Sequence, residues 1–295
     1  MSAASQPLPG LAWFDIDDPS SPALDELAKR FQLHELQIED ARIRPQAAKT
    51  DEYGHYIFSI LKHLRQVSGE LVFDDFDVFL GPKFLITIHE GESHQIDKVR
   101  KLAQQTKTNR LDRIFYHLVD EVVDEYVVAL DGIAEDVADV ESEVLEHPEP
   151  TILRRIFTLK RRLINFRRVA SGMREVVNAL IRREKGLMGD DLDPYFRDIY
   201  DHLIRTVDLI ETYRDLLTGS LDIYLSAVAN RTNEVMKILT IWGTVALPLV
   251  IITGFFGMNL PLPWASRPHG TWLAVGLMFI STGLVLMYFK RKHWF

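Results

Sequence analysis

The stretch Ile238-Leu239-Thr240-Ile241-Trp242-Gly243-Thr244-Val245-Ala246-Leu247-Pro248-Leu249-Val250-Ile251-Ile252-Thr253-Gly254-Phe255-Phe256 carries no charged side chain. Its length, about 19 residues, matches a hydrocarbon core of about 30 Å at 1.5 Å per helical residue. A second uncharged run, Trp272 to Phe289, follows a short loop, Gly257 to Thr271, that is rich in Pro and Gly. Lys237 precedes the first run, Lys290-Arg291-Lys292 follows the second, and Trp272, Tyr288 and Trp294 lie near the ends. These are the basic and aromatic flanks of membrane spans. A buried core helix would account for one such run, but not for two with these flanks, and we read both as transmembrane helices.

Working outward, charge divides the chain. Its 295 residues hold 42 Asp and Glu against 34 Lys and Arg. From Val235 onward there is no acid, and the only bases are Lys237, Arg267, Lys290, Arg291 and Lys292. An acidic, water-soluble body therefore precedes an apolar, weakly basic end. The absence of cysteine excludes a disulfide framework, a thiolate zinc site and a cysteine nucleophile. An acidic body argues against nucleic acid as a partner, and no Walker-type glycine loop offers a nucleotide site. No nucleophile–base pattern emerges, so an enzyme is not expected. Met1 to Ile16 lacks the basic-then-apolar order of a signal peptide, which leaves targeting to the C-terminal spans. Two spans return the chain to its starting side, and the basic cluster after the second predicts cytoplasmic termini with the loop outside. Two helices cannot enclose an ion path, so transport would require an oligomer around an axis.

The body has two textures. Over 1–108 the pattern is that of an α/β domain, with strands at Leu11–Ile16, His55–Lys62, Glu70–Leu80 and Lys83–His89. Helices are expected at Pro22–Phe31 and at Ser93–Ala103, Ser93 serving as a cap. Over 109–193 the pattern is a helical hairpin. Arg110–Glu146 is acidic, with apolar Val123, Val127, Leu130, Val137, Val140 and Val144, and His147-Pro148-Glu149-Pro150 breaks it. Thr151–Glu184 then carries Arg154, Arg155, Lys160, Arg161, Arg162, Arg167, Arg168 and Arg174. A charge-paired hairpin is the simplest reading, with anionic lipid as the alternative partner of the basic helix. Asp190, Asp191 and Asp193 suggest metal ligands, but helix-start acids and a solvated loop explain them equally cheaply.

From Pro194 to Phe256 nothing breaks the helical pattern, so a stalk at 194–237 should run straight into the span at 238–256. Such a helix of about 60 residues is about 90 Å long and needs neighbours to be stable. Leu203, Val207, Ile210, Leu217, Leu221, Tyr224 and Val228 alternate by four and three, the mark of a packed seam. On another face Asp222, Ser226, Ala229, Asn233, Met236, Thr240, Gly243, Leu247 and Val250 form one stripe, with Leu239 beside it. In a symmetric oligomer the polar members would ring a hydrated cation, and Met236, Leu239 and Leu247 would make apolar constrictions that gate by dewetting. From spacing alone, pore lining and interhelical packing are both open.

The first span ends in Phe256-Gly257-Met258-Asn259, and the basic-aromatic tail reads Lys290-Arg291-Lys292-His293-Trp294-Phe295. With Asn233–Thr240, Tyr195–His202 and Glu39-Asp40, these features resemble the CorA family of divalent cation transporters over almost the whole chain. The resemblance implies an α+β membrane protein that assembles as a funnel-shaped homopentamer in the plasma membrane, the bacterial inner membrane. It would move Mg²⁺, with Co²⁺ and Ni²⁺ as further substrates. Gly257, Met258 and Asn259 would form the outer entrance, where five amide oxygens suit an ion that sheds its waters reluctantly. Asn233 would form an inner polar ring, Met236 and Leu239 the gate, and Asp222 an acidic mouth. Asp40 and Asp198 would share a regulatory Mg²⁺ between neighbouring subunits. The partition implied is 1–108, 109–193, 194–237, 238–256, 257–271, 272–289 and a tail at 290–295. Two departures bear on the ion. The loop Leu260 to Gly270 has no acid but carries Arg267, and a zinc-associated branch resembling ZntB also has acid-poor loops; Leu247 and Val250 are apolar where some relatives place more polar or polarisable side chains. Against zinc, the stripe offers neither His nor Cys. A non-conducting, membrane-anchored Mg²⁺ sensor is the rival from another class.

Overall fold

The computed structural model describes residues 12–67, 70–183, 186–258, 269–292 and 294. It comprises two compact units, Met1–Leu221 and Asp222–Phe295.

The first unit opens with an α/β sandwich. Strands β1 (Trp13–Ile16), β2 (Lys49–Tyr53), β3 (Tyr56–Val67), β4 (Glu70–Gly81) and β5 (Phe84–Ile88) form one sheet in the order β1-β5-β4-β3-β2. β1 runs parallel to β5, and every other pairing is antiparallel. The β4–β5 turn depends on Gly81, where an added Cβ would lie 2.3 Å from the Phe84 ring. Helices α1 (Pro22–Phe31) and α2 (Glu35–Arg42) contribute Leu24, Leu27, Ile38 and Ala41 to a core shared with Phe58, Ile60, Phe79, Ile86 and Ile88. The Ser21 side chain accepts from Ala23 N, which satisfies one orphan donor at the start of α1. Ser93 does the same for Ile96 N at the start of α3 (His94–Thr106).

The alternating strands and both amphipathic helices stand where the residue pattern predicts them. α2 and β2 do not appear in that pattern. α2 buries only Gln37, Ile38 and Ala41, and β2, Lys-Thr-Asp-Glu-Tyr, lies at the sheet edge with no buried residue. Neither element buries enough apolar surface to leave a periodic signal.

β3, β4, β5 and β1 also bring together a group of polar side chains. Thr87 Oγ1 donates to Asp15 Oδ1 (2.6 Å) and accepts from Trp13 Nε1 (3.1 Å), and His89 Nε2 lies 3.2 Å from Asp15 Oδ1. Burial alone would raise the Asp15 carboxyl, but His89, Thr87 and Arg100 hold it below its ordinary value. His63 is buried, with Gln95 as its polar neighbour. That burial, opposed by Asp74 and reinforced by His89 and Arg65, pushes its pKa down to about 4.

Helices α4 (Leu111–Glu146) and α5 (Pro150–Arg182) form the hairpin. Their seam is mainly apolar: Leu130, Ile133, Val137, Val140 and Val144 of α4 are buried, as are Ile152, Ile156, Leu159, Leu163 and Phe166 of α5. Val127, expected in the seam, is 42% exposed, because Tyr126, Leu130 and Ile133 set the inward face. Charge pairing between the helices is sparse among the described residues: Arg155 meets Glu143, and Arg162 lies 3.7 Å from Asp136. Arg167 turns instead to Glu211 of α6 (Asp193–Phe256). Asp191 and Asp193, in and just after a 3₁₀ turn at Asp190–Leu192, pair with Arg110 (2.8 Å) and Arg183 (3.0 Å). Ion pairing to distant arginines explains these two aspartates without a metal.

α6 is a single helix of 64 residues. In the first unit its buried positions are Phe196, Ile199, Leu203, Thr206, Val207, Ile210, Leu217 and Ser220. In the second unit it is followed by α7 (Gly270–Arg291). Both helices are long and apolar enough to cross a membrane. Pro248 lies inside α6, where its ring removes one ladder donor; membrane helices tolerate this when neighbours satisfy the freed carbonyl. Half-buried Ile241, Val245, Leu249, Ile252 and Phe256 fall on one face of α6, and Ala274, Met278, Ser281, Val285 and Phe289 on one face of α7. Phe289 is covered in part by Trp294, whose ring stacks on it at 5.2 Å. Elsewhere large apolar side chains are bare, with Trp242 71% and Phe279 77% exposed.

Candidate functional site

Every member of the sequence-derived stripe that lies in the second unit is exposed: Asp222, Ser226, Ala229, Asn233, Met236, Leu239, Thr240, Gly243, Leu247 and Val250. At 100° per residue the stripe points about 180° away from the half-buried face of Ile241, Val245, Leu249, Ile252 and Phe256. One side of α6 is thus occupied within the chain, while the side carrying the polar-to-apolar gradient is free. The Thr240 hydroxyl donates to Met236 O (2.7 Å) and the Ser226 hydroxyl to Asp222 O (2.9 Å). Both satisfy their protons on the helix itself and turn oxygen lone pairs outward, which suits cations and their water shells.

The same helix carries a second periodic series. Within the first unit Asp201, Asp208 and Asp215 are exposed on α6 at seven-residue intervals, an interval that the sequence continues to Asp222. Regular spacing of one residue type was the available clue.

At the far end of α6, Gly257 N donates to Thr253 O (2.9 Å), and a Cβ at Gly257 would sit 2.9 Å from that same oxygen. A glycine is what lets the backbone close over the last turn and leave the helix there. Met258 follows, 46% exposed. Asn259 and the loop residues Leu260 to Pro268 lie outside the described residues.

The two aspartates expected to hold regulatory metal have different surroundings. Asp40, on α2, accepts from Lys49 Nζ at 2.7 Å, and this bond holds the Lys49 amine above its ordinary pKa. Asp198, on α6, is strongly exposed, with His202 Nε2 at 3.9 Å. Nearby on α4, Tyr116 donates to Asp120 Oδ2 (3.2 Å). Burial and the neighbouring Asp124 raise the Asp120 carboxyl to about 6. Among the described residues, no group of three or more His, Cys, Asp or Glu side chains is placed to hold a metal within one chain.

An acidic α+β body and two helices able to span a bilayer, the first of them the 64-residue α6, define a membrane protein. The chain belongs to the CorA-like Mg2+ transporter protein family, whose model matches residues 9–291. It is 35% identical over 271 residues to the cobalt/magnesium transport protein CorA of Thermotoga maritima, covering 90% of this chain and 77% of that one. Two solved structures share the fold. The CorA magnesium transporter from Methanocaldococcus jannaschii superposes with a TM-score of 0.86 at 24% identity, covering 96% of this chain and 91% of that one. The full-length CmaX protein gives 0.80 at 22%, covering 99% and 91%.

Proposed function

We propose that the chain assembles as a homopentamer whose α6 helices line a membrane-potential-driven path for Mg²⁺, with Co²⁺ and Ni²⁺ as secondary substrates. The observation that carries this reading is the two-sidedness of α6 in the second unit. One face is half-buried, and the opposite face exposes Asn233, Met236, Leu239, Thr240, Gly243, Leu247 and Val250. Copies arranged around an axis turn that face inward and α7 toward lipid. Asn233 then rings hydrated cations, Met236 and Leu239 form the constriction, and Gly257, Met258 and Asn259 form the outer mouth, with the termini and the acidic body in the cytoplasm. A divalent ion entering a negative interior gains about 4.6 kcal/mol per 100 mV, so no nucleotide is needed.

Regulation fits the same frame. Carboxylates are the hard oxygen donors that Mg²⁺ prefers, and Asp198 is exposed enough to meet Asp40 of a neighbouring copy once Lys49 yields it. Mg²⁺ held by this pair would screen the repulsion between acidic subunits and keep the assembly closed, and its loss would let the gate hydrate. A zinc preference is the second reading, favoured by the acid-free loop with Arg267.

Ion flux into proteoliposomes tests the proposal. Mg²⁺ uptake that follows the imposed potential, falls with Asn259→Ala and is outcompeted poorly by Zn²⁺ is expected. Absence of flux from well-folded oligomers would instead mark a sensor, and stronger Zn²⁺ flux would transfer the chain to the zinc reading. Closure by internal Mg²⁺ should be lost in an Asp40→Ala, Asp198→Ala variant.

A further inference from the structure

The hairpin carries two charged stripes that its own fold leaves unused. On α5, Arg154, Phe157, Arg161, Ile164 and Arg168 recur at intervals of three and four, and all are exposed, Phe157 by 51% and Ile164 by 57%. Among the described residues Arg154 and Arg161 have no ion-pair partner, and Arg168 bonds only to Asn165 of its own helix (2.8 Å). On α4, Asp131, Asp139 and Glu146 are exposed and likewise have no ion-pair partner among the described residues. The contacts within the hairpin use other residues, Arg155 with Glu143 and Arg162 with Asp136.

Those two internal pairs fix which turns of the antiparallel helices lie at one level. A rotation about an axis running along the helices preserves level, so a neighbouring copy presents its α4 to α5 in the same register. At that register Arg154 stands level with Glu146, Arg161 with Asp139 and Arg168 with Asp131. The three bases thus match three acids turn by turn, with two large apolar side chains between them. A basic face meeting a different, acidic face of the same chain is a head-to-tail contact, the kind that closes into a ring.

We infer that the α5 stripe docks on the α4 stripe of the next copy, forming an intersubunit seam in the cytoplasmic body. This rests on the oligomeric reading above. Opposite charge would set the register and exclude like-to-like pairing of two α5 faces. Phe157 and Ile164 supply the apolar contact that exposed ion pairs alone do not provide.

The cysteine-free full-length chain makes the test direct. An Arg161→Cys, Asp139→Cys double variant, oxidised in membranes, should give a reducible ladder of covalent multimers extending beyond the dimer, whereas each single variant should give none. In parallel, the purified wild type and two triple variants are sized: Arg154→Glu with Arg161→Glu and Arg168→Glu, and Asp131→Arg with Asp139→Arg and Glu146→Arg. Each triple variant should lose the large species while keeping native far-UV circular dichroism, and combining all six substitutions should restore it. A wild-type oligomer with no ladder, and with both triple variants still fully assembled, overturns the seam alone and leaves the α5 stripe to another anionic surface such as lipid. A monomeric wild type overturns the seam together with the oligomeric reading. The crosslinking arm changes only two exposed side chains, so a misfolded charge swap does not spare the inference.

Discussion

The first unit encloses a large apolar core, with Phe157 and Ile164 among the few large apolar side chains left bare on its hairpin, whereas the second unit leaves most of its large apolar residues exposed. In Met1–Leu221 the rings of Phe58, Phe79, Phe115, Phe166 and Phe196 are at most 1% exposed. In Asp222–Phe295 Trp242, Trp272 and Phe279 are more than two-thirds exposed. Burial of apolar surface stabilises the first unit from within. The second closes only one face of each helix, so the rest of its apolar surface needs lipid or other copies as partner. The difference separates a domain that folds by its own packing from one whose solvent is a bilayer.

Four experiments break or sharpen that contrast. The largest effect is expected for Phe58→Ala, which empties the α1–α2 core and should cost about 3–5 kcal/mol of stability in the first unit. Chemical denaturation followed by near-UV circular dichroism reads it, and no effect would mean that this core is not what holds the unit. Next, Val245→Asp places a charge on the half-buried face of α6 and should weaken membrane insertion by about 3 kcal/mol. Gly243→Asp lies on the opposite stripe, where an added Cβ meets nothing within 4 Å, and should insert more readily. Equal insertion of the two variants would erase the two-sidedness of α6.

The third experiment is a pH titration. The His63 pKa is pushed from 6.5 to about 4 on folding. Between those values the unfolded chain binds the proton more tightly, so this contribution is complete above pH 6.5 and is lost as the pH falls toward 4. At 1.36 kcal/mol per unit it amounts to about 3 kcal/mol. His63→Leu should flatten melting temperature against pH in that window, and an unchanged slope would assign the acid sensitivity elsewhere. The smallest effect is expected for Ser93→Ala. It removes the cap of α3 and should cost about 1 kcal/mol, seen as earlier melting with uptake unchanged.

The parts of the site legible in the residue string are those that one helix repeats at a fixed period. The stripe from Asp222 to Val250 could be read because every member belongs to α6, and the acid series Asp201, Asp208 and Asp215 was equally readable. The aspartates after Gly189 could not be resolved that way. Whether Asp191 held a metal or met water depended on Arg110, 81 positions away. His63 gave no sign of its state, since its burial comes from strands and helices that approach only in the folded domain.

The amino-acid order by itself determined the membrane segments, the charge division, the long uninterrupted helix and the periodic stripe, because hydrophobicity and helical spacing are local properties. Tertiary structure decided which face of α6 is half-buried, which carboxylates find arginines, and which histidine loses water. Each of those outcomes depends on surfaces brought together from distant parts of the chain, where packing and desolvation act at short range and sequence distance carries no information.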